Sequence, residues 1–285
     1  MIKINNKKNK NRIYTIIWYM IASVIGIFFI FPIYSMLIGA FSTLEQVYMP
    51  QINLWPHPIK LNFSEINQYM KDPDFLIAYK NSFLIALSII PRVTVSMLAG
   101  FALARLRGKG SMIVFYFILA TVMLPFSIII IPQYIMFNQF GWIDTYLPFW
   151  LPAFMGDAFF IFIIRQFIMG IPKELDEAAY IDGCSTWRLF FQIIVPLCKP
   201  VISVCLIFSF VSYWNSFLGP LIFLSRSSHK SLPLAINALV YQLYQVTPWN
   251  TVMLICLLAA IPLFLIFFLL QKYIISGFVM SGVKQ

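Results

Sequence analysis

Few residues of this sequence are of types that carry out chemistry. Its 285 residues include only ten Asp and Glu and two His, and 61% are hydrophobic. It contains no Ser-His-Asp arrangement, no HExxH pair and no GxxxxGK[ST] phosphate-binding loop, so it lacks the groups for nucleophilic catalysis or ATP hydrolysis. Neither His57 nor His229 has a Cys, His or acidic residue at ligand spacing. We therefore expect no enzymatic activity, no metal site and no cofactor held by this chain.

Four of the ten acids lie in one patterned segment, residues 171–200, and three of these are clustered near its start. Pro172 and the acids that follow it are typical of a helix start, where proline fits the first turn and the positive end of the helix dipole favours carboxylates. Gly183 then permits a turn, and two prolines, Pro196 and Pro200, end the motif. The three clustered acids are Glu174, Asp176 and Glu177.

Small and apolar residues complete this pattern. Ala178 and Ala179 allow a partner backbone to approach closely, and an apolar cluster follows Gly183. Composition alone is also compatible with an ordinary solvated connecting loop. The more specific prediction is a short amphipathic helix, a Gly turn and a second helix held against the membrane. The apolar cluster consists of Trp187, Leu189, Phe190 and Phe191.

The elements that position these residues follow from composition. Aromatic residues make up 18% of the chain and charged residues only 11%. A soluble domain of this size has about a quarter of its residues charged and too little interior for so much apolar surface. The abundance of Phe also excludes intrinsic disorder. The sequence therefore predicts an all-α, polytopic membrane protein.

Six charge-poor runs are long enough to cross a hydrocarbon core about 30 Å thick. Prolines and glycines interrupt several of them, and such breaks are tolerated where a neighbouring helix or a cavity satisfies the freed backbone groups. We expect one transmembrane domain over residues 1–285, with a tail at 272–285. The predicted spans are 13–38, 81–104, 111–137, 145–164, 200–224 and 249–271.

Lys and Arg orient these spans. The net charge of +10 would suggest a nucleic-acid partner in a soluble chain, but in a membrane protein cationic side chains concentrate on the cytoplasmic side. With the N-terminus inside, fourteen of the twenty lie in cytoplasmic segments and five outside. Both termini are therefore predicted to be cytoplasmic. The basic N-terminus resembles a secretory signal, but the apolar run that follows it is too long, so we interpret it as the first span.

Two formal charges lie well inside the predicted spans. Arg92 and Asp157 are each eleven or twelve residues from the outer end of a span, which places both about 17 Å down, near the midplane. Charges buried in a membrane are costly and either pair or face a water-filled cavity. The sequence leaves both possibilities open, as well as a wrongly placed span.

An aromatic residue and an amide lie just before the Gly219-Pro220 break. Trp214 and Asn215 suit stacking on a sugar and hydrogen bonding to its hydroxyl groups. The alternative is that Trp214 belongs to an aromatic belt or to helix packing.

The segment at 171–200 closely resembles the EAA loop of binding-protein-dependent ABC importer permeases. The resemblance rests on Glu177-Ala178-Ala179, Gly183, Ile193 and Val195-Pro196 at the family's spacing, with Val195 where the family has Leu. Other stretches resemble the carbohydrate-uptake, maltose-transporter-type subfamily. These are Trp214-Asn215 with Pro220-Leu221, residues 277–284, Ala102-x-Ala104-Arg105 and Asn81-Ser82; Ser216 and Gln285 depart from the pattern.

This resemblance implies a non-catalytic subunit that forms half of a translocation pathway in a bacterial cytoplasmic membrane. Its EAA loop would dock on a separate ATP-binding subunit, which carries the ATP and Mg²⁺. Glu177 would bond to that subunit, Ala178 and Ala179 would pack in its groove, Gly183 would permit the turn, and Asp182 would cap or orient the second helix. Gly282 and Lys284 would be tail contacts, and Arg92, Asp157, Trp214 and Asn215 would belong to the substrate pathway.

The implied partners are a second homologous permease subunit, an ATPase dimer and an extracytoplasmic solute-binding protein. A sugar or oligosaccharide is the expected solute, and peptides, glycerol phosphates or polyamines are alternatives. An ion-coupled secondary transporter is a further alternative, although it would call for more carboxylates inside the membrane than Asp157.

Overall fold

A computed structural model describes residues 2–49, 55, 73–106, 108–226, 229–241 and 248–282, with the backbone alone for 2–13, 73 and 275–282. Every regular element in these ranges is helical, which confirms the predicted all-α class at this level. The helices are α1 (Ile2–Ala40), α2 (Leu44–Tyr48), α3 (Pro73–Ala86), α4 (Ile89–Arg105), α5 (Ser111–Val122), α6 (Phe126–Gln139), α7 (Leu147–Ala153), α8 (Ala158–Met169), α9 (Glu174–Ile181), α10 (Thr186–Leu197), α11 (Lys199–Trp214), α12 (Leu218–Phe223), α13 (Leu232–Val240) and α14 (Trp249–Gly282).

The apolar helices agree with most of the predicted spans. Among the described residues, four helical stretches are long and apolar enough to cross a membrane, and two bent helix pairs raise the number to six if each pair is one span. The stretches are Tyr14–Ala40, Asp74–Arg105, Leu147–Met169 and Trp249–Ile274; the pairs are α5 with α6, bent by 98°, and α10 with α11, bent by 75°.

The sharpest bend has a local cause. Helix α5 ends at Val122 and α6 begins at Phe126, with Pro125 as the residue before its first turn. Proline has no backbone N–H to continue a helix, and it disfavours helical geometry at Leu124. The predicted span 111–137 is therefore two helices.

The predicted span 200–224 differs most from the structure. Helix α11 ends at Trp214, and the short helix α12 begins separately at Leu218. Pro220 explains the break, because a continuous helix would lose a backbone hydrogen bond there and crowd the carbonyl group of residue 216. The helical segment that precedes α11 instead comes from residues that we had placed in the loop, Thr186–Leu197.

By their contacts the residues form two compact units. The first consists of residues 1–69 and 238–259. Within it, Gly39 lies against the side chain of Met253, a contact that leaves no space for a Cβ atom. Thr43 and Gln46 form a capping box at the start of α2, since each side chain accepts a hydrogen bond from the other residue's backbone N–H.

The second unit consists of residues 70–237 and 260–285. Its main core lies along α4 and α8, which approach closely because a Cβ atom at Gly100 would be 2.7 Å from Ile164 Cγ2. Residues of the patterned loop complete the same core. Its fully or nearly fully buried members include Val93, Met97, Phe101, Phe160, Ile164, Ile168, Ala179, Leu189, Phe190 and Ile194.

Candidate functional site

Helix α9 presents two different faces. Its first turn carries the three acids, as the sequence predicted. Asp176 and Ala179 are buried, whereas Glu177 and Ala178 are exposed and Ile181 is 86% exposed. The two alanines therefore have different surroundings, with Ala179 packed in the core of this chain and Ala178 accessible from outside.

A glycine turn ends α9 and leads to α10. Gly183 has φ +77°, in the left-handed region that glycine adopts without strain, as the sequence predicted for a turn here. Asp182 was predicted to cap or orient the second helix; it is not the N-cap of that helix, and an orienting role stays a prediction. Ser185 is the N-cap of α10, because its hydroxyl accepts a hydrogen bond from the N–H of Arg188 at 3.3 Å. Asp182 ends α9 instead, and its side chain is exposed.

The apolar cluster of α10 is divided between two faces. Leu189 and Phe190 are 1% and 3% exposed and belong to the core. Trp187 and Phe191 are exposed and stack on each other, with ring centroids 6.2 Å apart and an interplanar angle of 21°. The loop as a whole therefore has one side built into this chain and an outer side rich in apolar surface, which is typical of a protein interface.

A buried ion pair attaches α9 to the end of α4. Arg105 Nε lies 2.6 Å from Asp176 Oδ2, and the side chains are 5% and 11% exposed. Arg105 Nη2 also donates a hydrogen bond to the carbonyl oxygen of Ile171 at 2.9 Å. Burial raises the pKa of Asp176 above its usual range, an effect that the neighbouring guanidinium only partly offsets.

A second ion pair joins α4 and α8 near their other ends. Arg92 pairs with Asp157, which the sequence had left open, and the side chains are 24% and 18% exposed. Asp157 is also the N-cap of α8, since its carboxylate accepts a hydrogen bond from the N–H of Phe160 at 3.0 Å. The Arg92 guanidinium lies 5.2 Å from the ring of Tyr213 and 5.6 Å from that of Phe160. A role in the substrate pathway stays a prediction for both charges.

Trp214 and Asn215 differ in accessibility. Trp214 is 2% exposed, stacks on Phe210 with centroids 5.4 Å apart and meets the edge of Tyr79 at 5.3 Å. It packs within this chain, in agreement with the helix-packing alternative, and a role in the substrate pathway stays a prediction. Asn215 follows the last turn of α11 and its side chain is exposed, so its place in a pathway stays a prediction.

The tail prediction lies largely outside the described residues. Gly282 is the last residue of α14. Lys284 is not described.

Asn81 and Ser82, part of the subfamily resemblance, bind the segment between α12 and α13 through its backbone. Asn81 Nδ2 donates to the carbonyl oxygen of Lys230 at 2.9 Å, and the N–H of Leu232 donates to Ser82 Oγ at 2.7 Å. Asn81 Oδ1 also accepts a hydrogen bond from the Tyr146 hydroxyl. The motif was visible in the sequence, but these partners, most of them about 150 residues away, were not.

Asp144 holds the start of the same segment between α12 and α13. It has φ +61°, and its carboxylate accepts hydrogen bonds from the N–H groups of Ser225 and Arg226. These bonds, the one from Ser225 above all, hold the pKa of Asp144 below its usual range.

Asp144→Asn is expected to lower the thermal midpoint of the purified protein near neutral pH. A depressed folded-state pKa contributes stability that is fully present above the unfolded-state value of about 3.9 and is lost as the pH falls through the folded-state pKa. Asn tolerates the left-handed backbone, so the substitution removes the charge without adding strain. Thermal melting in detergent should show a difference from wild type that shrinks as the pH falls below the unfolded-state pKa of Asp. The exposed Glu45→Gln is the matched control, and a pH-independent difference at Asp144 contradicts the prediction.

Known proteins resemble the chain over nearly its whole length. Residues 93–279 match the family described as "Binding-protein-dependent transport system inner membrane component". The chain is 31% identical over 269 residues to the lactose transport system permease protein LacG of Rhizobium radiobacter, covering 94% of this chain and 96% of LacG. It is 32% identical over 264 residues to the sn-glycerol-3-phosphate transport system permease protein UgpE of Brucella abortus (strain 2308), covering 90% and 93%.

The fold also has a counterpart among solved structures. A chain of a bacterial ABC transporter involved in the import of the acidic polysaccharide alginate superposes with a TM-score of 0.79, covering 93% of this chain and 97% of that one. At 19% sequence identity this similarity concerns the fold alone.

Proposed function

Because the chain belongs to the binding-protein-dependent transport system inner membrane component family, we propose that it is the permease subunit that forms half of the pathway in an ATP-driven sugar importer. Family membership confirms the resemblance predicted from the EAA loop. The observation that carries the proposal is the match over residues 93–279, which includes the whole patterned loop.

The solute that we propose is a sugar or oligosaccharide. The similarity to LacG over 94% of this chain supports it, together with the stretches around Trp214-Asn215 and at 277–284. The similarity to UgpE favours glycerol phosphate as the second candidate.

We assign coupling to the ATPase to the side of the patterned loop that is exposed in the isolated chain. Glu177, Ala178 and Ile181 are exposed on α9, where a carboxylate, a small residue and an apolar side chain are available to a partner. Ala179, in contrast, allows α9 to pack on its own chain. In this proposal ATP and Mg²⁺ bind to a separate ATPase dimer, and a second permease chain and an extracytoplasmic binding protein complete the importer.

The proposed topology has six spans with both termini in the cytoplasm of a bacterium. The four continuous stretches and two bent pairs are compatible with six crossings. The excess of Lys and Arg in the predicted inner segments supports this orientation, in which the patterned loop lies on the side where ATP is available.

Uptake by right-side-out membrane vesicles that express the importer tests this function. We expect accumulation of radiolabelled lactose or sn-glycerol 3-phosphate, used as probes, to require internal ATP and to continue after an uncoupler has dissipated the proton gradient. Accumulation that stops with the uncoupler while ATP remains high would instead indicate an ion-coupled secondary transporter. Binding of each probe to the purified solute-binding protein separates the sugar from the glycerol phosphate alternative.

A further inference from the structure

The end of α4 holds the patterned loop at two points. Arg105 is the last residue of α4, and it contacts the carbonyl oxygen of Ile171 before α9 and the carboxylate of Asp176 within α9. We refer to Arg105, Ile171 and Asp176 as the Arg105 clamp. Through it, α9 is attached to α4 by charge as well as to α8 by the connecting chain.

Stability alone does not account for the Arg105 clamp, because the burial of its two charges is energetically unfavourable. Both charged side chains are about nine-tenths buried, and among the described residues Arg105 Nη1 and Asp176 Oδ1 find no hydrogen-bond partner. A buried ion pair is weak evidence for stability, because desolvation offsets much of the attraction between the charges. The best-attested use of such pairs is to fix one register of two elements.

Helices α4 and α8 pack side by side in a single parallel register between the Arg105 clamp and the Arg92–Asp157 pair. Arg92 pairs with Asp157, Gly100 packs on Ile164, and Arg165 Nε donates to the carbonyl oxygen of Leu103 at 3.3 Å. The sequence separation is close to 65 residues in each of these contacts, so α4 and α8 run side by side in the same direction. Arg92 and Arg105 are thirteen residues apart, which is about 20 Å along α4.

We propose that Arg105 and Asp176 are positioning residues for energy coupling, which make α9 move as one body with α4 and α8. This inference rests on the proposed function, in which the ATPase moves α9. The clamp carries that movement to the Arg92–Asp157 pair about 20 Å away. Without it, α9 is free to shift while the helices beside the pathway stay in place.

Spin labels at the two ends of this body test the proposal in the purified complete importer. Cysteines replace Ile90, in the first turn of α4, and Leu175, in the first turn of α9 and away from the face formed by Glu177, Ala178 and Ile181; both side chains are exposed. The partly exposed Cys184 and Cys256 are changed to Ser in this background. We expect a narrow distance distribution between the labels that Mg-ATP leaves unchanged. Arg105→Gln and Asp176→Asn should broaden it and make it shift by several ångström on addition of Mg-ATP.

Transport provides the second measurement. Arg105→Gln should lower the uptake of the lactose or glycerol phosphate probe per ATP hydrolysed about tenfold, while the ATPase subunits still copurify with this chain. Lys109→Gln is the matched control, since Lys109 is an exposed cation shortly after the end of α4 and outside the patterned loop. Arg105→Lys keeps the positive charge but lacks the planar guanidinium with its several N–H donors. It should therefore retain part of the coupling that Arg105→Gln loses.

A charge-reversed pair, Arg105→Asp with Asp176→Arg, should also restore part of the narrow distribution that either single change loses. The proposal is overturned if Arg105→Gln leaves both the label distances and the uptake per ATP as in wild type, or if Mg-ATP shifts the distance in the wild-type protein. If the proposed function itself is wrong, the results differ from these. In that case no ATPase subunit copurifies with the wild-type chain, and uptake by the wild-type protein does not need ATP.

Discussion

Ala178→Trp is expected to abolish ATP-driven uptake while leaving the protein inserted in the membrane at its normal level. Ala178 is exposed on α9, and the bulky side chain therefore finds space in the isolated chain. It would prevent close approach by the groove of the ATPase that we propose to hold this helix. The measurements are uptake in vesicles, the amount of the chain in the membrane and the copurification of ATPase subunits, which should be lost.

The neighbouring alanine is the matched control. Ala179 is only 4% exposed and packs in the core, so Ala179→Trp should lower the amount of folded protein by overpacking. Ala178→Ser, a small change on the outer face, should leave uptake close to that of wild type. Normal uptake by the Ala178→Trp protein would show that α9 does not dock through this face.

Asp157→Asn is expected to destabilise the protein by about 3 kcal/mol, because it leaves the Arg92 guanidinium unpaired in a mostly buried position. Both side chains are less than a quarter exposed, so solvent screens the pair only in part. The amide oxygen of Asn still accepts the hydrogen bond from Phe160 N–H, so the cap of α8 is retained. The change therefore isolates the charge, and the thermal midpoint in detergent measures its effect.

Two further variants separate the pair from the cap. Asp157→Ala removes both and should be less stable than Asp157→Asn by about 1 kcal/mol. Arg92→Asp combined with Asp157→Arg restores opposite charges but loses the cap, so it should recover only part of the stability. No recovery in the double variant, with full-length protein still in the membrane, would mean that Arg92 and Asp157 do not depend on each other.

The sequence predicts most strongly what composition and short-range patterns determine. Apolar runs identified the helical class and most of the long helices, and the spacing of Glu177, Ala178 and Gly183 identified the family. The helix, glycine turn and second helix of the loop also follow from local rules on proline, acids and glycine. The pairing of Arg92 with Asp157 was one of three open possibilities, since depth in the membrane suggested proximity but not contact.

Contacts between distant residues were beyond such reasoning. Arg105 was noted only as part of a motif, and nothing in the neighbouring sequence indicates that Asp176, seventy-one positions later, is its partner. The burial of Trp214 likewise depends on Tyr79, from a helix more than a hundred residues earlier. The different surroundings of Ala178 and Ala179 depend on which way α9 is turned against α4, and this orientation is a property of the packed unit.

The hydrogen bonds that hold the segment between α12 and α13 have a consequence for recognition. Ser225 and Arg226 are held by Asp144, and the backbone of Lys230 and Leu232 is held by Asn81 and Ser82. Association has a free-energy cost for ordering both the loops and the side chains of an interface, and a backbone that is already held avoids the loop part of this cost. A solute-binding protein that docks on these residues would therefore meet a backbone that is already ordered.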